Sequence, residues 1–256
     1  MHFRSRILLG RPRAAKATIL IASVVFLFAS TVGTFGQKRF ARSYPAGKNV
    51  RLALMNRSGT VTVEGWDRTD VSISAELESP AANIAPQNQS GTVVINLVRD
   101  NQGRVEVGDV NFTVRVPYYA MVDIETRIGN VNVSNVRSGL VRAKISSEGD
   151  ITLTNIGSSA VSAENVIGDI FFDGDILDGG IYRFSSMRGT ISLRIPFNSS
   201  FKLVATAPST RNISLGTFAG GMNTLGNGRR VVGNFGEGSA ALSITNQQGS
   251  IKFFSR

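Results

Sequence analysis

The sequence predicts an all-β protein, a single-domain β-solenoid of stacked rungs about 20 residues long, preceded by one N-terminal hydrophobic helix. Two observations predict this fold. First, a cassette of glycine, a small polar residue and alternating apolar residues recurs at Gly129, Gly149, Gly168 and Gly189, with spacings of 20, 19 and 21 residues. Second, no stretch after Gln37 carries apolar residues at helical spacing, so the domain should be almost entirely strand and turn.

Each cassette predicts one strand of a rung. Glycine suits a corner that needs unusual backbone angles, and apolar residues two apart point to one face of a strand. The first apolar residues of the cassettes should stack as one inward-facing column. They are Val131, Ile151, Ile170 and Ile191.

A second alternating strand follows within the repeats, at residues 141–145, 161–163 and 182–184. Two strands make one rung, and a single rung cannot bury its own apolar edge, so successive rungs must stack. An antiparallel sandwich is the alternative, but it does not require a near-constant spacing of the same cassette.

Weaker alternation extends the pattern in both directions, and we expect these strands to continue the stack in chain order. The upstream strands are predicted at residues 49–54, 59–63, 71–75, 92–98 and 104–116, and the downstream strands at 201–205, 211–215, 242–244 and 251–253. Nine glycines between Gly216 and Gly249 predict a looser, loop-rich stretch.

The amino terminus predicts export. Five basic residues and no acid precede an uncharged apolar run at 17–35. By the positive-inside rule the basic flank stays in the cytoplasm and the rest of the chain crosses the membrane. The run is close to the length that spans a bilayer, yet small residues crowd its end, so both a retained anchor and cleavage after Gly36 remain open. We therefore divide the chain into a signal or anchor region, 1–36, and a repeat domain, 37–256.

The composition of the chain excludes some kinds of reaction and argues against others. The chain has no cysteine, and its one histidine is His2, so thiol chemistry is excluded and the repeat domain lacks the commonest general base and zinc ligand. Beyond the N-terminal region, 23 basic and 18 acidic residues leave a net charge of +5. These charges alternate along strands, without the basic, aromatic-interleaved runs of a nucleic-acid binder. We predict no enzyme, no cofactor and no nucleic-acid partner.

Residues 56–67 (NRSGTVTVEGWD) resemble the opening signature of the putative-adhesin, toastrack-like β-strand-repeat family. The later cassettes are similar to those of that family, as are the strand ends Val116-Pro117 and Ile195-Pro196. The resemblance covers about residues 51–253. It implies an extracytoplasmic β-solenoid, often attached to a membrane segment and associated with cell-envelope adhesion or envelope stress, with no catalytic residues to carry over.

Four acids within ten residues form a candidate calcium site: Asp169, Asp173, Asp175 and Asp178. Calcium prefers such oxygen ligands, but the spacing does not fit an EF-hand loop. Corner and turn positions are the better interpretation. An acid pair such as Glu164 and Asp169 could instead serve a β-helical carbohydrate-active enzyme, which is the competing class.

Two aromatic residues are candidate contacts for a partner or glycan. Trp66 lies in a turn, and we expect its ring to pack over the first hairpin with its N–H hydrogen-bonded. Phe171 should point to the polar side of its strand, beside Asn132, Thr152 and Ser192 of other rungs, or be covered by the loop at 173–180.

The sequence therefore favours a non-catalytic, extracytoplasmic adhesive or interaction module, with an envelope glycan or protein as its partner. The alternative is a membrane-anchored scaffold of an envelope-stress signalling system, held through residues 17–35 if the signal is uncleaved. We expect the domain in the periplasm, at the cell surface, or anchored in the inner membrane outside the cytoplasm. Its ligand-binding residues and oligomeric state stay open.

Overall fold

The computed structural model describes residues 38–47 and 49–256, and nearly every regular element in this part of the chain is a strand. The predicted signal or anchor region 1–36, with its apolar run 17–35 and its expected helix, lies outside the described residues. Within the described ranges no helix is long and apolar enough to cross a membrane. Residues 36–256 form one compact unit with its own core.

The strands are β1 (Lys38–Pro45), β2 (Arg51–Met55), β3 (Val61–Trp66), β4 (Asp70–Leu77), β5 (Gln87–Gln89), β6 (Thr92–Asn96), β7 (Val110–Pro117), β8 (Met121–Ile128), β9 (Val131–Ser134), β10 (Val141–Glu148), β11 (Ile151–Ile156), β12 (Ala160–Ile167), β13 (Ile170–Gly174), β14 (Ile181–Arg188), β15 (Thr190–Ile195), β16 (Phe201–Thr206), β17 (Ile213–Ser214), β18 (Met222–Leu225), β19 (Arg230–Phe235), β20 (Ala240–Asn246) and β21 (Ser250–Ser255). A short helix, α1 (Leu97–Asp100), and a 3₁₀ turn (Gly216–Ala219) complete the described elements.

The strands form two large sheets, and each rung gives one strand to each. The first sheet has ten strands in the order β1-β4-β7-β3-β9-β11-β13-β15-β21-β17. The second has eleven, in the order β18-β19-β16-β20-β14-β12-β10-β8-β2-β6-β5. From β8 to β15 the chain alternates between the sheets, and from β10 onward each strand pairs in parallel with the one two before it. This is the solenoid-like stack that the repeat predicts.

The order of rungs at the two ends corrects the expectation of a simple chain-order stack. At the first end β6 and β7 lie outside β2 and β3, although they follow them in sequence. At the other end β20 and β21 insert between the rung of β14 and β15 and the rung of β16 and β17. A local repeat cannot predict this order, because strands of similar pattern can pair with any neighbour of matching register.

Three segments towards the ends of the stack differ from their predicted structure. The glycine-rich stretch after Gly216 is not only loop, since β18 and β19 form a hairpin that pairs with β16. The strand predicted at 92–98 ends at Asn96, whose Oδ1 accepts a hydrogen bond from the Arg99 N–H (2.9 Å) and so caps α1. The strand predicted at 104–116 begins only at Val110.

Stacked glycines form one corner of every central rung. Gly129, Gly149, Gly168 and Gly189 have φ values between +108° and +146°. A Cβ on each would lie within 3.0 Å of the carbonyl oxygen of the glycine one rung before, from Gly59 onward. The corner therefore requires glycine for both its backbone angle and its close approach.

The inward column that the cassettes predict is confirmed. Residue Ile151 pairs with Val131 on one side and Ile170 on the other, and Ile170 pairs with Ile191. All four are fully buried. The two sheets meet across aromatic contacts, with the Phe172 ring of the first sheet 5.2 Å from the Phe184 ring of the second, centroid to centroid.

Candidate functional site: the polar outer face of the second sheet

The residue after each corner glycine carries a side chain that joins successive rungs. Asn130 Oδ1 accepts a hydrogen bond from the Asp150 N–H (2.9 Å), Asp150 Oδ1 from the Asp169 N–H (2.7 Å), and Asp169 Oδ1 from the Thr190 N–H (2.7 Å). Asp169 is thus one step of a ladder that satisfies backbone donors along the corner. This is the corner position that the sequence favours for it.

The other three acids of the candidate calcium cluster bind arginine or serine side chains. Asp173 is buried and bonds to Arg194 (2.5 Å) and Arg256 (3.4 Å), and Arg256 also pairs with Asp175. The Asp178 carboxylate accepts a hydrogen bond from Ser239 Oγ (2.6 Å). Within residues 38–47 and 49–256, no three acidic or histidine side chains converge as metal ligands would.

The carboxylate of Asp173 also affects the arginine that it binds. Its hydrogen bond to the Arg194 guanidinium, with the attraction of opposite charges, raises the pKa of Arg194. This ion pair is one of three that join neighbouring rungs on the outer faces through a nearly buried carboxylate. The other two join Asp123 to Arg51 and to Arg142. The charge of such a carboxylate is already compensated by its arginine partner.

The acid pair considered for catalysis, Glu164 and Asp169, does not share a pocket. Glu164 is exposed on the outer face of β12, in a shallow depression that Asp169 does not line. Asp169 lies at the corner beyond the end of that strand, where its side chain holds the Thr190 N–H.

Trp66 has the hydrogen-bonded N–H that we expect, but it is the last residue of a strand and not part of the turn. It ends β3, and its Nε1–H donates to the carbonyl of Asp70 (2.9 Å). Guanidinium groups of Arg68 and Arg115 lie 5.0 and 5.8 Å from the ring centroid. The ring therefore has two cations as neighbours already and is no open platform for a sugar.

Phe171 lies where the alternation places it, on the outer face of the first sheet between Thr152 and Ser192. Its side chain is half-buried. The guanidinium of Arg194, on the next rung, lies 5.8 Å from the ring centroid. The described contact of the ring is therefore with Arg194.

The most regular exposed surface is the outer face of the second sheet. Two rows of side chains cross β8, β10, β12, β14 and β20 in register, each between buried neighbours in its strand. We call these rows the polar face: Asp123, Arg142, Ser162, Arg183 and Ser243 in one row, and Glu125, Lys144, Glu164, Ser185 and Thr245 in the other. Neighbouring strands are about 4.8 Å apart, so the face repeats at that interval.

Ion pairs order one end of the polar face. Asp123, only 9% exposed, accepts hydrogen bonds from Arg142 Nε (2.6 Å) and from the Arg51 guanidinium. Lys144 Nζ lies 3.8 Å from Glu125 Oε1. At the other end small hydroxyl side chains leave a shallow depression of about 260 Å³ between Glu164 and Arg183.

Sequence reasoning missed a second set of repeated residues, which hold the corner. Asn56, Asn165 and Asn246 are buried, each three residues before a corner glycine. The Nδ2 of Asn246, for example, donates to the carbonyls of Gly189 (2.9 Å) and Ser250 (3.0 Å). The signal was present, because an asparagine, serine or threonine precedes every cassette glycine by three positions.

Comparisons with known structures agree with this fold. A putative cell adhesion protein from Clostridium sporogenes is 12% identical, with a TM-score of 0.50, over 86% of this chain and 100% of that one. A putative adhesin from Bacteroides fragilis is also 12% identical, with a TM-score of 0.31, over 85% of this chain and 97% of that one. At such identity the first likeness shows a shared fold, and no curated protein matches the sequence.

A family model gives the assignment. The model of the Toastrack DUF4097 family matches residues 37–253, which include every rung of both sheets. The match agrees with the resemblance that residues 56–67 and the later cassettes carry. This chain belongs to the Toastrack DUF4097 family.

Proposed function

We propose that this protein is an exported, non-catalytic interaction module of the cell envelope, which adheres to a repeating envelope polymer through the polar face. One observation carries the proposal. The polar face presents polar and charged side chains at corresponding positions of successive parallel rungs, at the fixed spacing of about 4.8 Å between strands. A repeating ligand can therefore contact the face on several rungs at once.

The chemistry of the face fits a polar, hydroxyl-rich polymer. Ser162, Ser185, Ser243 and Thr245 can each donate and accept a hydrogen bond, and Arg183 adds further donors. Charges of both signs alternate there, so nonspecific attraction to nucleic acid or to a strongly charged surface is weak. The shared fold with a putative cell adhesion protein, at a TM-score of 0.50, also supports adhesion.

Co-sedimentation tests the proposal directly. Purified Gly36–Arg256 is mixed with isolated, insoluble cell-wall sacculi at low and high salt, with soluble wall fragments as competitors. We expect saturable pelleting that fragments compete for and that high salt alone does not abolish. An absence of pelleting under all conditions would contradict adhesion to the wall polymer.

A pair of matched variants locates the contact. Ser185→Trp places a large ring on the polar face, and Ser192→Trp places the same ring on the outer face of the first sheet. We expect Ser185→Trp to lower pelleting by at least about tenfold and Ser192→Trp to leave it within about twofold. Equal loss in both variants would assign binding elsewhere.

A membrane-anchored scaffold is the second candidate, favoured by the apolar run at 17–35. It requires that the run be retained after export. Mass spectrometry of the mature protein decides between them, because a chain that begins at Gln37 has lost the anchor. Retention of the run together with no binding to sacculi would favour the scaffold.

A further inference from the structure

A cleft of about 530 Å³ lies at the first end of the stack, and none of its lining residues belongs to the polar face. One wall is the corner between β2 and β3 together with the end of β8, and the other is α1 and the loop that follows it. Its volume is in the range of small-molecule sites in proteins, about 300–1,000 Å³. The strands on one side are fixed by the backbone hydrogen bond from the Ile128 N–H to the Arg57 carbonyl (3.2 Å).

The cleft has a strong positive charge. Three arginines line it, Arg57, Arg104 and Arg127, and no aspartate or glutamate of the described chain does. The Arg104 guanidinium is held by the Ala81 carbonyl (2.8 Å) and Asn101 Oδ1 (3.1 Å). Arg57 and Arg127, in contrast, form no ion pair with any acid of the described residues.

Asp109, which bonds to one of the lining residues, is already engaged. The carboxylate of Asp109 accepts a hydrogen bond from Ser58 Oγ (2.5 Å), and Ser58, not Asp109, lines the cleft. Arg57 and Arg127 come from neighbouring rungs, and both line the same cleft. Such a pair favours an anion with several oxygen acceptors, because each planar fork can bind two of them.

Apolar side chains lie beside these arginines. Val98 is 53% exposed and Ile128 41% exposed, and both line the cleft with Val107. Exposed apolar side chains scattered singly need no explanation, but here they share a concave site with uncompensated cations. The combination calls for a ligand that is anionic at one end and apolar at the other.

We propose that this cleft binds a small anionic amphiphile, a phosphate or carboxylate joined to a short apolar group. Arg57 and Arg127 bind the anion, and Val98 and Ile128 cover the apolar group. The site is independent of the polar face, so either proposal can fail without the other.

Titration with hexyl phosphate tests the site. Calorimetry on Gly36–Arg256, a compact unit with its own core, should show saturable binding at least about tenfold tighter than inorganic phosphate or neutral hexyl glucoside. Inorganic phosphate that binds equally well would contradict a role for the apolar wall. Hexyl glucoside that binds equally well would contradict recognition of the anion.

Variants separate the two halves of the site from general charge. Arg57→Gln with Arg127→Gln should weaken hexyl phosphate binding at least tenfold, whereas the matched loss of charge in Arg188→Gln with Arg230→Gln should change it less than about twofold. Val98→Ser should weaken hexyl phosphate about threefold and leave inorganic phosphate unchanged. Equal effects of the two arginine pairs would overturn the proposal.

Vesicles identify the source of the amphiphile. If vesicles that contain phosphatidylglycerol pellet the wild-type domain but not the Arg57 and Arg127 variant, the natural ligand is a membrane lipid. If hexyl phosphate binds and vesicles do not, it is a soluble amphiphile. Either result supports the site. If neither hexyl phosphate nor the vesicles bind, the proposal is contradicted.

Discussion

The central rungs and the end rungs of this protein are built from similar strands but assembled in different ways. From β8 to β15 each new strand is added next to the previous rung, so spatial order equals chain order. At the two ends the chain departs from this rule. It adds β6 and β7 outside an earlier rung, and it returns at β20 and β21 to fill a place inside a later one.

The difference shows how an open stack protects its ends. A parallel rung at the end would expose unpaired N–H and C=O groups along its whole length. Among the described strands, antiparallel pairing covers three of the four sheet edges: β4 and β1 lie beyond β7, β5 beyond β6, and β19 and β18 beyond β16. The fourth edge is β17, a parallel strand of only two residues. Because β20 and β21 insert between two earlier rungs, β21 has a paired strand on each side, β15 and β17.

Hydrogen exchange should show the largest contrast between these regions. The strand β21 pairs with β15 on one side and β17 on the other, whereas β1 pairs only with β4 among the described strands. We expect the amides of β21 that bond to β15 to exchange as slowly as those of β13. Amides of β1 should exchange roughly a thousandfold faster, equivalent to about 4 kcal/mol.

Mass spectrometry of exchanged peptides measures both segments in one experiment. Fast exchange in β21, similar to that in β1, would contradict the insertion of the last rung. Slow exchange in β13 serves as the internal control, because that strand is paired on both sides.

Substitution of a corner glycine should have the next largest effect. Gly149→Ala adds a Cβ at a φ of +146° and within 3.0 Å of the Gly129 carbonyl oxygen, so we expect a loss of about 3 kcal/mol in the free energy of unfolding. Gly249→Ala meets the Gly189 carbonyl in the same way and should cost a similar amount. Urea denaturation measures both.

Gly139→Ala is the matched control, because nothing lies within 4 Å of the Cβ that it adds. It should change the free energy of unfolding by less than about 0.5 kcal/mol. A harmless Gly249→Ala beside a damaging Gly149→Ala would show that the glycine column does not extend into the returning rung.

Removal of the Tyr182 hydroxyl should have the smallest effect on the free energy of unfolding. Tyr182 lies on β14, which pairs with β12 of the sequential rungs and with β20 of the returning rung. Its hydroxyl donates to the Ser158 carbonyl (3.0 Å) and accepts from the Leu177 N–H (2.7 Å). Tyr182→Phe leaves both groups without this partner and should cost about 1–2 kcal/mol at neutral pH. Tyr118→Phe, at an exposed ring, should cost less than about 0.5 kcal/mol.

The same hydroxyl gives the protein a dependence on alkaline pH. Burial raises the pKa of Tyr182 above its ordinary value near 10, so the folded chain keeps the phenol proton where the unfolded chain loses it. This contribution is fully present below about pH 10 and is lost as the pH rises further. Urea titrations above pH 10 should show a shallower decline in Tyr182→Phe than in the wild type; equal declines would contradict the assignment.

The central rungs could be predicted because each depends on a local signal. The cassette glycines mark the corners, and the alternation after them marks the inward column of Val131, Ile151, Ile170 and Ile191, which the structure confirms. The hydrogen bond of Trp66 was equally local, since its N–H bonds to a carbonyl four residues away.

The ends and the candidate sites depend on distant residues. The cleft brings Arg57 next to Arg127 from strands that are adjacent only in space. The buried Asp173 is held by Arg194 and by Arg256, 83 residues away in the chain. No spacing in the sequence announces such pairs, because they depend on which rungs become neighbours.

The amino-acid sequence by itself determined the class of fold, the length of the rung, the glycine corners and the inward and outward faces of the central strands. These follow from backbone angles and a two-residue alternation, which are properties of a few consecutive residues. Only the tertiary structure decided the order of the end rungs, their antiparallel covers and the cleft beside α1. Those depend on free energies of pairing and burial summed over strands far apart in the chain, which no local pattern contains.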